Sequence, residues 1–400
     1  MKRIFVLLAL ASFALANAVA QKLPADKINL GKRSKQRAEM ILPQVNGYNI
    51  YRADLHTHTI YSDGYLAPRA RVEEAYYDGM DIIAITDHLE YRPNEQRFLD
   101  ATCGYHKGKV EAANHLIHRE PADKRGILTD LNIAWREAEK YGKRFGVKII
   151  PGVEISRHPD SVGHYNALFV KDVNKIYHPD AEQSFRRAKQ QGALIMHNHP
   201  VWRRKTSEKN EFQQRVYAAG LIDGVEVVNG YQFAPKMIKR CLDENLFMAG
   251  GTDAHGTTAA GYASRGYLRT CTLVFAKECS VEAVKEALTE RRTLAYSAGN
   301  IIGDQTLLKE LFKASVRVSI VATSSKGDRT VAITNLSSVP YELRRGKSII
   351  TLGTFQTTTI TVAPEKNIAF SIMNMWCSTE KSPHGTHPYY KIMMDELAAQ

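Results

Sequence analysis

Two histidines separated by one residue stand in the segment DLHTHTIYSDG, residues 54–64. Side chains at positions i and i+2 of an extended strand point to the same side. His56 and His58 can therefore present both imidazoles to one ion, and Asp63 follows five positions later. Imidazole and carboxylate groups are ligands of zinc, manganese and iron in proteins. One such pair is weak evidence, because an isolated histidine at a strand end is usually an ordinary polar residue.

The elements that would position these residues alternate between strand and helix. Short runs rich in β-branched residues recur at 51–55, 81–86, 148–153, 164–170, 193–197, 224–228 and 247–251. Amphipathic patterns lie between several of them, at 69–78, 130–145 and 180–191. This alternation predicts an α/β fold with a parallel sheet. Seven strands with intervening helices fit a barrel, and the pattern by itself also fits an open sheet.

Further acids and histidines fall at the ends of these predicted strands. In parallel barrels the functional groups gather at the C-terminal rim, where each strand contributes one or two. The candidates there are His56, His58, Asp63, Asp87, His88, Glu154, His164, His197, His199, Asp253 and His255. Histidines and acids are unlikely to occur by chance at six predicted strand ends together. The pattern therefore predicts a site for two or three metal ions. Such ions activate water and stabilise an in-line displacement at phosphorus.

These motifs resemble those of the PHP (polymerase and histidinol phosphatase) superfamily over about residues 48–300. The matching segments are DLHTH with SDG at 54–64, TDH at 86–88, PGVE at 151–154, NHP at 198–200 and GTDAH at 251–255. Residues 282–297 are similar to the closing helix and strand of many members. The resemblance implies a distorted (β/α)7 barrel with a di- or trinuclear metal centre. It also implies phosphoester hydrolysis, and some members are nucleases.

The resemblance further implies a role for individual residues. Grouped by ion, the metal ligands would be His56, His58, Glu154 and Asp253; Glu154, His164 and His199; and Asp63, His88 and His255. Asp63 stands where several relatives have histidine. His199, immediately before proline, matches the family ligand, whereas His197 is expected one layer deeper on the strand. Asp87 is expected to support a ligand, to carry a proton, or only to cap a turn.

The expected reaction is attack of a metal-activated hydroxide on phosphorus. The leaving alkoxide would take a proton from His199, Asp87 or a bound water. Arginine forks match phosphate oxygens, so arginines in the rim loops are the expected substrate contacts. These candidates are Arg157, Arg203, Arg204 and Arg265.

The predicted substrate is a small phosphomonoester or a nucleotide. Lys+Arg 54 against Asp+Glu 42 gives a net charge of +12, which favours anionic ligands. The charge also fits a nuclease, but the sequence shows neither an aromatic cluster nor a repeated basic motif. A third hypothesis is a carbamate or ester hydrolase on the same barrel. A fourth hypothesis is a non-catalytic binding protein whose β domain binds a glycan or another protein.

The two ends of the chain carry different patterns. Lys2 and Arg3 precede an apolar run at 4–16 and small residues at 18–20, as in a secretory signal peptide. Residues 1–20 therefore predict export, to the periplasm or beyond the cell, without membrane insertion, and 21–47 form a basic lead before the 48–300 barrel. From residue 301 to 400, a two-residue alternation of apolar and polar residues predicts a small antiparallel β domain. The irregular insertion at 90–129, with Tyr105 and His106, is expected to shape the pocket.

Overall fold

The computed structural model describes residues 36–93, 130–157, 162–204, 206–364, 369–377 and 390–393. Three features that the sequence analysis identified lie outside the described residues. They are the signal peptide at 1–20, the start of the basic lead, and most of the 90–129 insertion.

Seven strands form the wall of the predicted barrel, and an eighth short strand joins them as a hairpin. The wall consists of β1 (Asn49–Asp54), β2 (Ile82–Ile85), β3 (Lys148–Arg157), β4 (Gly163–Leu168), β5 (Leu194–His197), β6 (Gly224–Asn229) and β8 (Phe247–Gly251), with β7 (Gln232–Phe233) as the hairpin strand on β6. These bounds agree closely with the predicted strands, except that β3 continues to Arg157. The distorted (β/α)7 barrel is therefore confirmed.

The helices around the wall begin and end at recognisable signals. They are α1 (Pro68–Tyr77), α2 (Ile133–Phe145), α3 (Ala181–Gln190), α4 (Glu211–Ala218), α5 (Lys236–Asp243), α6 (Thr258–Gly261) and α7 (Val281–Thr289). The Asp180 side chain accepts the N–H of Glu182 and caps α3. Gly146 ends α2 at φ +75°, a left-handed conformation that costs glycine little. Among the described helices, none has the length and apolar composition that a membrane span requires.

Strand direction departs from the predicted parallel sheet at one point. β1, β2 and β3 are parallel to one another, as are β5, β6 and β8. β4 runs antiparallel to both β3 and β5. The start of β4 therefore lies at the same rim as the C-terminal ends of the other strands. This reversal brings His164, the second residue of β4, to the rim.

Three antiparallel strands continue the sheet beyond β1. They are β9 (Cys271–Ala276), β10 (Thr293–Ser297) and β11 (Asn300–Gly303), each paired with the one before it. β8 meets them through side chains: Thr272 Oγ1 accepts from Gly250 N–H at 3.1 Å, and Thr293 Oγ1 donates to Met248 O at 2.8 Å. These contacts close the barrel where no backbone ladder joins β8 to β9 in the described part of the chain.

The C-terminal part begins with α8 (Gln305–Ser315), a helix that the sequence analysis did not predict. Two small antiparallel sheets follow, as predicted, built from β12 (Val316–Thr323), β13 (Arg329–Asn335), β14 (Tyr341–Arg345), β15 (Ser348–Leu352), β16 (Thr357–Val362), β17 (Ala369–Ile372) and β19 (Tyr390–Met393). β18 (Met375–Trp376) instead returns to the barrel sheet and pairs in parallel with β11. One apolar cluster contains both Leu273 of the barrel and Leu343 of these sheets, so the two parts share a core.

Candidate metal centre

All nine residues that the sequence analysis assigned to metal meet at the C-terminal rim. Their nitrogen and oxygen atoms form four overlapping groups, and within each group these atoms lie within 4.8 Å of one another. The groups are His58, Asp63, His88 and His255; His56, His58 and Glu154; His56, His199 and Asp253; and Glu154, His164 and His199. Single backbone bridges, Thr57 to Ala254 and His88 to Glu154, continue the ladders past the strand ends and hold the motifs side by side.

Glu154 lies at the centre of this cluster. Its side chain is 1% exposed, and imidazole nitrogens approach both oxygens. The distances are 3.3 Å from Oε1 to His56 Nε2, 3.3 Å from Oε1 to His164 Nδ1, 2.8 Å from Oε2 to His88 Nδ1 and 3.5 Å from Oε2 to His58 Nε2. Glu154 Oε2 is nevertheless buried without a hydrogen bond of good geometry. A buried carboxylate oxygen in that position suits a ligand shared between ions.

Asp253 faces the same cluster from the loop after β8. Its Oδ1 lies 3.2 Å from His56 Nε2 and 3.0 Å from His58 Nε2. Asp253 has a φ of +53° and His199 a φ of +25°, values uncommon for residues other than glycine. Backbone N–H groups tie both residues to the cluster, since Asp253 donates to His56 O and His199 donates to the Glu226 carboxylate. Strained backbone held by its surroundings is typical of functional sites.

The third predicted ion would lie between β1, β2 and β8. Asp63 Oδ2 is 3.1 Å from His255 Nε2 and 3.5 Å from His88 Nε2. The rings of His58 and His255 stack with their centroids 4.4 Å apart. Asp63 therefore faces the other two members of its predicted group, His88 and His255.

Burial and mutual attraction shift the pKa values of this cluster in opposite directions. Burial alone would lower the pKa of His88, but the Glu154 and Asp63 carboxylates outweigh it and raise that pKa to about 10. The pKa of His56 is likewise raised, because Asp253, Glu226 and Glu154 outweigh its burial. Burial would raise the pKa of Glu154, yet the surrounding imidazoles hold it well below its usual range.

These shifts predict that metal binding releases protons. An imidazole that binds a metal ion must be neutral. Because pH 7 is below the raised pKa values of His56 and His88, both imidazoles are protonated and positively charged in the metal-free protein. Loading the metal-free protein at pH 7 should release about one proton from each, and the affinity should rise as the pH rises towards the pKa of His88. Calorimetric titration in two buffers of different ionisation enthalpy measures the release. A variant with His178→Ala, outside the cluster, should release as many, and equal heats in both buffers would contradict the prediction.

Several supporting residues were missed by the sequence analysis. Glu226, 1% exposed in β6, lies 3.3 Å from His56 Nδ1 and accepts the His199 backbone N–H. Asn198 donates through Nδ2 to Glu154 Oε1 at 2.7 Å and to Asn166 Oδ1 at 2.9 Å. Such contacts orient ligands and adjust their basicity. An acid inside the apolar run of β6 was a signal that could have identified Glu226.

A buried charge network lies beneath the cluster. Arg71 of α1 is 0% exposed, and its guanidinium donates to five acceptors. They are the carbonyls of His58, Ala254, His255 and Gly256 and the carboxylate of Glu74. Asp54 accepts from His56 N–H, from the Thr252 N–H and hydroxyl, and from Arg269. These two networks fasten the first motif of the chain to the last.

Asp87 and His197 lie beside the cluster rather than in it. Asp87 accepts hydrogen bonds from the N–H and hydroxyl of Thr59 and from the hydroxyl of Ser62, each at 2.7 Å. This placement, away from the cavity wall, favours a role in fixing the loop after β1 over the predicted role of proton carrier. The His197 ring stacks on that of Tyr165 with the centroids 4.6 Å apart, and its Nδ1 lies 2.7 Å from the Tyr217 hydroxyl. His197 therefore lies one layer deeper in the barrel than the cluster, as expected.

The cluster opens into a cavity of about 490 Å³. Its wall outside the metal group consists of Glu90, Tyr91, Ser156, Arg157, Trp202 and Arg203. The Trp202 ring centroid lies 5.2 Å from that of His164 and 5.4 Å from that of His199. Burial raises the pKa of Glu90 to about 7, although the Arg157 guanidinium 3.1 Å away opposes this. A mixed aromatic and charged wall suits a ligand with a phosphate and an organic group.

Two of the four predicted arginine contacts line this cavity. They are Arg157, which also donates to His178 O and Ser184 Oγ, and Arg203, whose guanidinium lies 4.3 Å from the Trp202 ring centre. Arg204 instead donates to Gln213 and to the Glu208 carbonyl, outside the cavity wall. Arg265 lies over the Tyr231 ring at 5.5 Å, also outside it.

The donor set fits divalent metal ions. Imidazoles and carboxylates converge in overlapping groups, and the buried Glu154 Oε2 has no hydrogen-bond partner of its own among the described residues. Proteins that bind such ions use these ligand types. The cluster is therefore able to hold metal ions.

Comparison with known proteins agrees with this geometry. The PHP domain family model matches residues 54–248. A crystal structure from Bacteroides vulgatus, of a two-domain protein containing a predicted PHP-like metal-dependent phosphoesterase, is 30% identical. That match covers 90% of this chain and 99% of the other, with a TM-score of 0.75. Comparison with curated proteins found no match.

Two more distant structures are similar to parts of the chain. The lesion-specific endonuclease PfuEndoQ from Pyrococcus furiosus is 15% identical, covers 64% of this chain and 59% of its own, and has a TM-score of 0.39. An amidohydrolase from Chromobacterium violaceum is 15% identical, covers 51% and 87%, and has a TM-score of 0.35. Similarities at this level say nothing about activity. The family match and the Bacteroides structure, which aligns along nearly its whole length, show that this chain belongs to the PHP family.

Proposed function

We propose that this PHP-family chain is a metal-dependent phosphoesterase that hydrolyses a small phosphomonoester or a nucleotide. The observation that carries the proposal is the convergence of nine imidazole and carboxylate side chains in four overlapping groups. Seven of the nine side chains line one cavity. The description of the Bacteroides vulgatus protein as containing a PHP-like metal-dependent phosphoesterase supports it.

The cluster would hold two or three divalent ions, zinc, manganese or iron, in the groups described above. When bound, these ions supply an activated water and neutralise charge on the phosphate. The chain's own residues hold and orient the ligands: Glu226 supports His56, and Asn198 fixes Glu154. Arg203 and Arg157 place positive charge at the cavity wall, where a phosphate would approach. Tyr91 and Trp202 offer rings to the organic part of the substrate.

The proposed place of action is outside the cytoplasm. The charge and apolar run of residues 1–20 support export, to the periplasm or beyond the cell. A small-molecule phosphoester is the proposed partner of the cavity. The two C-terminal sheets have no assigned ligand.

Hydrolysis of p-nitrophenyl phosphate tests this function. Protein stripped with a chelator should be inactive, and manganese or zinc should restore release of p-nitrophenol. His56→Ala should remove most of the restored activity, because its imidazole contacts Glu154, Glu226 and Asp253. His178→Ala is the matched control, since His178 lies outside the cluster, and it should keep activity within about twofold.

Two outcomes would contradict the proposal. One is full activity in the His56→Ala protein, which would place hydrolysis elsewhere. The other is cleavage of naphthyl esters by the metal-loaded protein with no hydrolysis of any phosphate ester, which would favour attack on carbon.

A further inference from the structure

The segment after β5 turns sharply at the edge of the metal centre. β5 ends at His197, and the Trp202 N–H donates to the His199 carbonyl at 2.8 Å, so a tight turn brings Trp202 back to that histidine. His199 has a φ of +25° and Arg203 a φ of +51°, in a region that residues other than glycine rarely adopt. Such backbone persists only where its surroundings fix it. The turn therefore fixes where the side chains of Trp202 and Arg203 can lie.

The indole of Trp202 contacts both the metal cluster and a cavity arginine. Its ring packs against the imidazoles of His164 and His199, which belong with Glu154 to one of the four ligand groups. The Arg203 guanidinium lies 4.3 Å from the ring centre of the same indole, within the range of a cation–π contact. Trp202 therefore connects the position of a cation in the cavity wall to the position of two candidate metal ligands.

The two arginines of the cavity wall are held in different ways. Arg157 is buried, lies 3.1 Å from the Glu90 carboxylate and donates to Ser184 Oγ at 3.0 Å. The Arg203 side chain is exposed and stacks on the Trp202 indole. An exposed arginine loses side-chain entropy when a ligand immobilises it. A guanidinium that is already stacked on a ring has lost part of that freedom, so a phosphate binds it at a smaller entropic cost.

We propose that Trp202 is a positioning residue that holds the Arg203 guanidinium beside the metal centre, where it binds the phosphate of the substrate. The proposal rests on the proposed phosphoesterase function and assigns part of its phosphate affinity to this stacked pair. The candidate ligands have supports besides the indole: His164 lies 3.3 Å from Glu154, and the His199 N–H donates to Glu226. Loss of the indole should therefore weaken phosphate binding while the metal ions stay bound.

Calorimetric titration of inorganic phosphate into the full, metal-loaded protein tests this role. Trp202→Leu should raise the Kd of phosphate about 3- to 10-fold. With p-nitrophenyl phosphate, KM should rise by a similar factor and kcat should change less than about twofold, because the arginine binds substrate and transition state alike. Trp202→Phe keeps an aromatic face and should recover most of the lost affinity. Trp135→Leu is the matched control: Arg136 stacks on Trp135 at 5.3 Å, but on α2, outside the cavity wall. Its Kd should equal that of wild type.

A double-mutant cycle separates positioning from a merely structural role. Arg203→Met should also raise the Kd of phosphate. The variant with both Arg203→Met and Trp202→Leu should bind phosphate no more weakly than Arg203→Met alone, because the indole then has no guanidinium to position.

Four results would overturn the proposal: no phosphate binding by the wild-type protein, a Trp202→Leu protein with the wild-type Kd, additive losses in the cycle, or loss of metal from Trp202→Leu by mass spectrometry. Metal loss would show that the indole acts on the ligands rather than on the arginine. Phosphate binding that depends on Trp202, without hydrolysis of p-nitrophenyl phosphate by the wild-type protein, would refute the phosphoesterase function and leave the stacked pair supported. Hydrolysis with an unchanged Kd in Trp202→Leu would refute the stacked pair alone.

Discussion

Glu154→Gln should remove bound metal and lower phosphoester hydrolysis by about 1000-fold, or roughly 4 kcal/mol of transition-state stabilisation. Glutamine keeps the size of the side chain but loses the negative charge that two or more ions would share. Glu154 belongs to two of the four ligand groups, and five imidazoles surround it. Metal content by mass spectrometry and the rate with p-nitrophenyl phosphate measure the two effects separately.

The control for this variant is Glu286→Gln, the same change at a side chain that is 57% exposed and pairs with Arg292 at the surface. It should keep the metal content and rate of the wild-type protein. Circular dichroism of both variants separates loss of metal from loss of fold. A Glu154→Gln protein that binds as much metal as wild type would show that Glu154 is not a ligand.

Arg71→Met should lower the free energy of unfolding by about 3–5 kcal/mol. The substitution removes the ion-pair partner of the buried Glu74 and the guanidinium donors of four rim-loop carbonyls. Ala254 O and His255 O keep the backbone N–H groups of His58 and Tyr65, but each lost charge-assisted hydrogen bond costs free energy at a site that is 0% exposed. Equilibrium unfolding in urea, followed by fluorescence, measures the difference.

Arg136→Met provides the matched comparison. Arg136 is 52% exposed and pairs with Asp130 at 2.7 Å, so the same change there should cost no more than about 1 kcal/mol. A loss below about 1 kcal/mol in Arg71→Met would mean that the Arg71 network adds little to stability. His255 and Asp253 lie in the loop that Arg71 fastens, so metal affinity should fall together with stability.

The strands and the ligand cluster were predictable because local patterns encode them. Apolar runs bounded by chemical motifs placed β8 at its observed residues, and the histidines and acids at strand ends gave all nine members of the cluster. The helix α8 also had a local signal that was overlooked: Asp304 caps it, and Leu308 and Leu311 are buried at helical spacing.

Other features depend on contacts that no local pattern encodes. The reversal of β4 is set by how its loops cross the rim, which apolar periodicity does not report. Arg71 looks like any charged residue of an amphipathic helix, yet it is fully buried. Arg204 and Arg265 lie in the predicted loops, but their side chains turn to partners outside the cavity.

The pairing of β18 with β11 affects how the chain folds during its synthesis on the ribosome. Every strand of the barrel wall has been synthesised by Gly251, and β11 by Gly303, but the outer edge of β11 is covered only when Met375 and Trp376 emerge. Until then a nascent chain carries an open strand edge, to which a neighbouring chain could add. Translation that stalls after Gly303 and before Met375 would therefore yield a truncated chain that is prone to aggregate.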